Sequence, residues 1–347
     1  MKHCLDITSA MFPTINELLF FLFIAAGFFV ILFIIYMYMT AKAYPNLGRH
    51  DSEKFYYDPK SKSKRLFPDY MNPPTLYLSV IVPAYNEEKR LPIMMEEAMD
   101  YLEKRQTQDP TFTYEVIIVD DGSTDQTSEV GLKNSEKFGA EKVRVLTLHH
   151  NRGKGGAVRL GMLSSRGKML LFVDADGASK FSDLYRLEDG MVTLKEEAKE
   201  KAKVNKKIRK QGAMAIVCGS RAHLEEDSIA KRSLFRTFLM YGFHWVVKLL
   251  CVRGIKDTQC GFKLLTREAA IFLFSNMHVE RWAFDVDLLY LAQHFGISVS
   301  EVSINWQEIE GCTKMVPVWS WLQMGRDIIL IRLRYSLGIW KIKEKFS

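Results

Sequence analysis

One stretch of this chain carries no charge from Leu18 to Thr40 (LLFFLFIAAGFFVILFIIYMYMT). A helix of about 20 apolar residues crosses the hydrocarbon core of a bilayer. The run is too long and too bulky for the short apolar region of a cleaved signal peptide, so it predicts a transmembrane anchor over 18–40. Only Lys2, Asp6 and Glu17 are charged before it, whereas Lys42, Arg49, Lys54, Lys60, Lys62, Lys64 and Arg65 follow it. The positive flank predicts a luminal stretch 1–17 and everything after Thr40 in the cytosol.

The remaining length, within 347 residues that are 48% hydrophobic and 26% charged, is enough for one large core. A net charge of +7 could point to nucleic acid, but no zinc-finger spacing and no basic helix interleaved with aromatics accompanies it. Membrane lipid and phosphate-bearing substrates fit the charge better. Cys4, Cys218, Cys251, Cys260 and Cys312 are odd in number and contain no Cys-x-x-Cys pair, which predicts reduced thiols.

Residues 41–75 are polar and lysine-rich and end in Pro73-Pro74, so they read as a linker. Beyond them short β-branched runs alternate with helical stretches. Leu78–Pro83, Tyr114–Val119, Val143–Leu148 and Lys168–Val173 read as strands, and Leu91–Lys104, Thr127–Phe138 and Gly156–Ser164 as the helices between them. This βαβ alternation predicts an α/β fold with a mostly parallel sheet over 76–316. The charge-dense tract Leu187–Gln211 reads as a solvated helix and basic loop inserted at the surface. Two further stretches, Leu234–Val252 and Pro317–Lys343, mix apolar and charged residues and read as amphipathic helices at the membrane interface, the second giving a C-terminal region 317–347.

Two of the strands end in acidic signatures, Asp120-Asp121-Gly122-Ser123 and Asp174-Ala175-Asp176-Gly177. Carboxylates at the carboxyl ends of parallel strands project into the crevice where ligands bind. Closely spaced Asp residues there suit Mg2+ or Mn2+, which one or two carboxylates hold together with the substrate's own phosphates. Tyr85, in Pro83-Ala84-Tyr85-Asn86-Glu87, is placed to stack on a base, and Asp120 to accept the N3–H of a uracil. The glycine-rich loop Asn151-Arg152-Gly153-Lys154-Gly155-Gly156 precedes a helix and suits close approach to phosphate oxygens. Its spacing matches neither the P-loop nor the dinucleotide fingerprint.

Together these motifs resemble the family 2 inverting glycosyltransferases, whose nucleotide-sugar-binding fold is called GT-A. Cys218-Gly219-Ser220-Arg221-Ala222-His223, Asp257-Thr258-Gln259-Cys260-Gly261-Phe262-Lys263 and Glu280-Arg281-Trp282-Ala283-Phe284-Asp285, with the glycine-rich loop, resemble the members that glucosylate dolichyl phosphate in the endoplasmic reticulum. The resemblance implies transfer of glucose from UDP-glucose to dolichyl phosphate with a divalent metal. It implies that Pro83, Ala84, Tyr85, Glu87 and Asp120 hold uridine, with Asp121, Lys154 and Ala175 also on the nucleotide. Asp174 would meet the ribose or the metal, and Asp176 the metal. Arg221 and Lys263 would face phosphate, and Asp285 and Asp287 would position the sugar. The residues by themselves leave glucose against mannose, and uracil against guanine, open. A mannosyl-phosphate synthase differs mainly in those two choices.

Overall fold

The uncharged run forms one uninterrupted helix, α1 (Ile15–Met39). Thr14 caps it: its hydroxyl accepts the Glu17 N–H at 3.3 Å while the Glu17 carboxylate accepts the Thr14 N–H at 2.8 Å. This reciprocal pair satisfies two of the helix's orphan donors. At 1.5 Å per residue the helix is about 37 Å long, more than the roughly 30 Å hydrocarbon layer. Its apolar side chains are exposed almost throughout, as a lipid-facing anchor requires. The computed structural model describes residues 14–204, 214–224, 242, 247, 249–307 and 317–343. They divide into one unit of residues 14–44 with 333–341 and a second of the described residues between 45 and 332 with 342–343. In the first unit the Arg334 guanidinium donates to Thr40 Oγ1 at 2.8 Å, and the Lys341 N–H donates to the Ala43 carbonyl at 2.8 Å.

The second unit is built on a sheet whose strands are β3 (Leu76–Ala84), β4 (Tyr114–Asp120), β5 (Val143–Thr147), β6 (Gly167–Val173), β7 (Ala215–Ser220), β8 (Phe262–Thr266) and β9 (Ser298–Ser303). Their spatial order is β5-β4-β3-β6-β8-β7-β9. All run parallel except β8, which is antiparallel to both β6 and β7. The α/β, mostly parallel expectation holds. Helices α2 (Leu91–Gln108) and α5 (Leu184–Val204) share one core with Val80, Val82, Val116, Ile118, Leu171 and Leu264 of the sheet. On the other face α4 (Lys154–Met162) lies so close that a Cβ on Gly161 would come within 2.5 Å of the Ile81 side chain. Helices α3 (Thr127–Phe138), α6 (Arg267–Asn276) and α7 (Phe284–Phe295) complete the layers described.

Three sequence expectations change. Residues 45–75 are not a bare linker: they carry a hairpin of β1 (Phe55–Asp58) and β2 (Ser63–Leu66). The Arg144 guanidinium of β5 lies 5.2 Å from each of the Tyr56 and Phe67 rings, so cation–π contacts join the hairpin to the sheet. Buried Glu53 accepts the backbone N–H groups of His50 and His149. Second, α5 is not a surface insertion. Leu184, Leu187, Met191, Leu194 and Ala198 are buried along one stripe at the 3–4 spacing of a helix face, and the charges occupy the opposite side. The basic stretch after Val204 lies outside the described residues.

Third, α8 (Pro317–Ser336) is helical as expected, but Met324, Ile328 and Ile331 are buried in protein. The Cys251 thiol donates to the Ile328 carbonyl, and the Gln259 amide approaches Met324 Sδ. An i, i+4, i+7 face already covered by protein is not offered to lipid. Most of Leu234–Val252 lies outside the described residues. Cys218, Cys251 and Cys260 are free thiols, and Cys4 and Cys312 lie outside the described residues.

A buried polar hub locks the sheet register. Glu115 on β4 accepts from Ser79 Oγ at 2.6 Å, from the Arg166 N–H at 2.7 Å and from Arg166 Nε at 2.9 Å, and it pairs with Arg144. Glu115→Ala leaves Arg144 buried without its carboxylate and should cost about 3–5 kcal/mol of stability. Denaturant unfolding of the purified protein checks this. A loss below about 1 kcal/mol, the scale of an exposed pair, would show that the Tyr56 and Phe67 rings suffice to hold the guanidinium.

Candidate active site

The carboxyl ends of β3, β4 and β6 open into a cleft of about 290 Å³. Pro83 and Ala84 end β3 and Tyr85 and Glu87 follow it, Asp121 follows β4, and Asp174, Ala175 and Asp176 follow β6; all line the cleft with Lys154 at the head of α4. The sheet therefore brings together most of the residues expected from the sequence. Asp120, Arg221, Lys263 and Asp285 do not line it.

The β3 and β4 loops are laced to each other. Asn86 takes a left-handed conformation with φ 54°, in which its N–H donates to Ser123 Oγ at 2.9 Å and its side-chain carbonyl accepts the Thr124 N–H at 2.8 Å. Asparagine is one of the few non-glycine residues that tolerate this backbone region. The Glu87 N–H donates to Thr127 Oγ1 at 2.7 Å, while the Glu87 carboxylate takes a two-point ion pair from Arg90. Tyr85 projects into the open with 39% of its surface exposed, as a stacking platform requires. Asp120 is turned inward. Its oxygens accept the Ser123 N–H at 2.9 Å and the Ser128 hydroxyl, so it shapes the loop on which a base would rest.

Asp121 organises the glycine-rich loop. Its two oxygens accept the Arg152 N–H at 2.7 Å and the Gly153 N–H at 2.9 Å. These are the donors that the sequence pattern offers to a phosphate, and an aspartate already holds them. Arg152 itself donates to the Gly48 carbonyl at 2.6 Å. The glycines serve packing: a Cβ on Gly153 would meet the Glu280 carbonyl at 2.8 Å, and one on Gly155 would meet Phe284 Cβ at 2.5 Å. The Gly156 N–H donates to that same Glu280 carbonyl at 2.9 Å.

Asp174 sits beside β8. Its N–H donates to the Gly261 carbonyl at 3.0 Å, and a Cβ at position 261 would lie 2.0 Å from Asp174 Oδ2, so only glycine leaves room for the carboxylate. The Lys154 ammonium is 2.6 Å from Asp174 Oδ1 and donates to Oδ2 at 2.9 Å. Its angle leaves the buried Oδ1 without a directed hydrogen bond. Burial opposes the Lys154 charge, but Asp174 and Asp285 outweigh it and hold the ammonium above its ordinary pKa. Asp176 accepts the Ala178 N–H at 3.0 Å. Burial, and then the charge of Asp174, push its carboxyl up, the condition that a bound cation relieves.

The two residues expected on phosphate are committed elsewhere. Lys263 is fully buried, donating to Asp285 Oδ1 and to the Cys260 carbonyl, each at 2.6 Å. Asp285 is thereby the partner of a core lysine, and it does not line the cleft. Arg221 makes a two-point ion pair with Asp257 at 2.7 and 3.0 Å, which holds Asp257 below the usual carboxylate range against its burial. Asp287 accepts the backbone N–H groups of His278 and Val279 at 2.8 and 2.9 Å.

Sequence reasoning missed Arg90 and gave Arg281 and Trp282 no role of their own; all three line the cleft, as does Asn151 of the glycine-rich loop. It also missed Arg159, whose buried guanidinium donates to Glu280 Oε1 at 2.7 Å and to the Met277 carbonyl at 2.6 Å. That grip fixes the segment carrying Arg281 and Trp282. The run Glu280-Arg281-Trp282 was visible, but only position in space assigns it to the cleft.

Asp121 generates a pH dependence. Burial raises its carboxyl from 3.8 to about 6, so the folded state binds that proton more tightly than the unfolded chain does. Stability should fall as pH rises from about 4 to about 6, by up to about 3 kcal/mol from this group, and level off above. Asp121→Asn should flatten that slope in thermal unfolding followed across the range. An unchanged slope in the variant would assign the dependence to another group.

The profile of glycosyl transferase family 2 matches residues 79–195, the segment from β3 to α5. The chain is 58% identical over 315 residues to the mouse (Mus musculus) dolichyl-phosphate beta-glucosyltransferase, covering 91% of this chain and 93% of that protein. It is 57% identical to the human (Homo sapiens) protein of the same name with the same coverage. Among solved structures, it is similar to glucosyl-3-phosphoglycerate synthase from Mycobacterium tuberculosis, with a TM-score of 0.48, 18% identity, and coverage of 78% of this chain and 82% of that one. The identity to the curated relatives, over nearly their whole length, places the chain in the dolichyl-phosphate β-glucosyltransferase family within glycosyl transferase family 2.

Proposed function

We infer that this chain transfers glucose from UDP-glucose to dolichyl phosphate with inversion, giving dolichyl β-D-glucosyl phosphate. The observation that carries the reading is one cleft lined by Asp174, Asp176 and Lys154 and also by the exposed Tyr85. A nucleoside diphosphate needs both ends of that arrangement, an aromatic face for the base and charge for the phosphates. The relatives' name supplies glucose and dolichyl phosphate, which the geometry does not choose.

Asp174 and Asp176 fit a divalent cation, Mg2+ or Mn2+. The buried Asp174 Oδ1 lacks a directed donor. Two carboxylates leave most of the shell of such an ion to substrate phosphates and water. When bound, it supplies positive charge to the leaving diphosphate.

The acceptor sets the rest of the mechanism. A phosphate monoester has its second pKa near 6 and is mostly dianionic at neutral pH, so it attacks the anomeric carbon without a general base. The cleft agrees: each carboxylate lining it has a partner, Glu87 with Arg90, Asp121 with the Arg152 and Gly153 amides, Asp174 with Lys154, and Asp176 with the Ala178 amide. What the protein must do is hold two anions together. Of the cations on the cleft wall, Arg90 is held by Glu87, which leaves Lys154 and Arg281 for that task; the expected Arg221 and Lys263 do not line the cleft. The chain is held in the endoplasmic reticulum membrane by α1, with its start in the lumen and the catalytic unit in the cytosol, because the basic flank follows the anchor.

Detergent-solubilised protein given dolichyl phosphate and a panel of sugar nucleotides should turn over UDP-glucose in preference to GDP-mannose. Asp176→Asn, or excess chelator, should lower the rate by at least about 100-fold, the scale of losing one preorganised charge at a transition state. Transfer of mannose, or full turnover in chelator, would sink the reading. Protease added to sealed microsomes should digest the catalytic unit, and protection of that unit would reverse the orientation.

A further inference from the structure

Lys154 supplies positive charge to the acidic pair in the site as it stands. Its ammonium lies 2.6 Å from one oxygen of Asp174 and 2.9 Å from the other, covering the carboxylate that would ligate the metal. Asp174 has little freedom to turn away, since the Gly261 carbonyl holds its amide at 3.0 Å and its carboxylate fills the space a Cβ at 261 would need. Behind the lysine, Asp285 is already neutralised by Lys263 at 2.6 Å. Any cation that reaches Asp174 must therefore contend with the Lys154 ammonium. The lysine, in contrast, has somewhere to go: it sits on the cleft wall, at the head of α4, on a flexible four-carbon stem.

We propose that Lys154 is a resident counter-ion that competes with the divalent metal for Asp174 and yields only when a nucleoside diphosphate offers it phosphate oxygens, so that metal and donor bind as one unit. The proposal rests on the metal-dependent reading above. Charge balance gives its direction. Two carboxylates facing a divalent ion and an ammonium leave excess positive charge in a partly buried site, and one cation must leave. A diphosphate adds the negative charge that accommodates both. Metal alone is then weakly held, and nucleotide and metal strengthen each other by the same factor, as linkage requires.

Mn2+ binding to the full-length protein in detergent, followed by electron paramagnetic resonance with and without UDP, tests this. Saturating UDP should tighten Mn2+ by about 10-fold or more in the unaltered chain, and Lys154→Met should bind Mn2+ alone about 5-fold more tightly while losing most of the UDP enhancement. Lys154→Arg keeps the charge and should keep the original behaviour. Circular dichroism confirms folding, and Lys154→Gln replaces Lys154→Met if the latter does not fold. A UDP enhancement below about 2-fold in the unaltered chain, or Mn2+ affinity in Lys154→Met no greater than in the unaltered chain, overturns the proposal. Asp176→Asn separates the two levels. If that variant still binds Mn2+ normally, the metal seat itself is misplaced; if it loses Mn2+ while Lys154→Met gains nothing, only the competition fails.

Discussion

Four charges of alternating sign, Lys263, Asp285, Lys154 and Asp174, lead from the core to the floor of the cleft, and the site depends on their mutual compensation. Lys263 and Asp285 are buried almost completely, whereas Lys154 and Asp174 keep 19% and 29% of their side chains exposed. An isolated ion at the inner end would be untenable; paired and hydrogen-bonded, it is tolerated, and removing one partner costs far more than the pair contributes. The Lys154 charge draws on both carboxylates, Asp285 as well as Asp174. The inner pair therefore works on the cleft without entering it, by fixing the potential against which the outer pair is set.

A second constraint is steric. The glycine-rich loop has its foremost amides on Asp121 and its glycines pressed against the segment from Glu280 to Phe284. Arg159 grips the same segment from within α4. The loop is thus a packed joint between the carboxyl end of β4 and the start of α7, and it delivers Lys154 to the cleft in a defined place.

The sequence shows much of this frame. The runs that became β3 to β6 are short, β-branched and separated by helical stretches, so strand ends and the acidic clusters at them could be located to within a residue or two. Where the reading departs from the structure, residue type is right and partner is wrong. Asp120 and Asp121 look equivalent in sequence, yet one folds back on Ser123 and Ser128 and the other clamps the glycine loop. Lys263 and Asp285 come to the site through the resemblance, and their pairing with each other is not legible because long-range pairing inside a core has no local signature. The polar stretch around Tyr56 hides a hairpin whose anchor, Arg144, lies far along the chain. In α5 the density of charge masks the apolar stripe from Leu184 to Ala198 that determines its position.

The reversed direction of β8 has a consequence for how the protein is made. Because β8 is antiparallel to β6, Phe262 lies opposite Val173, and the residue entering β8 meets the residue leaving β6. Asp174 and Asp176 emerge from the ribosome long before Gly261 does, on a chain whose leading strands can already pair. Until β8 inserts, the acidic pair lacks the glycine floor that fixes Asp174. A nascent chain therefore presents strand-end carboxylates without a seat, and competence for sugar nucleotides is withheld until β8 has been made and has inserted.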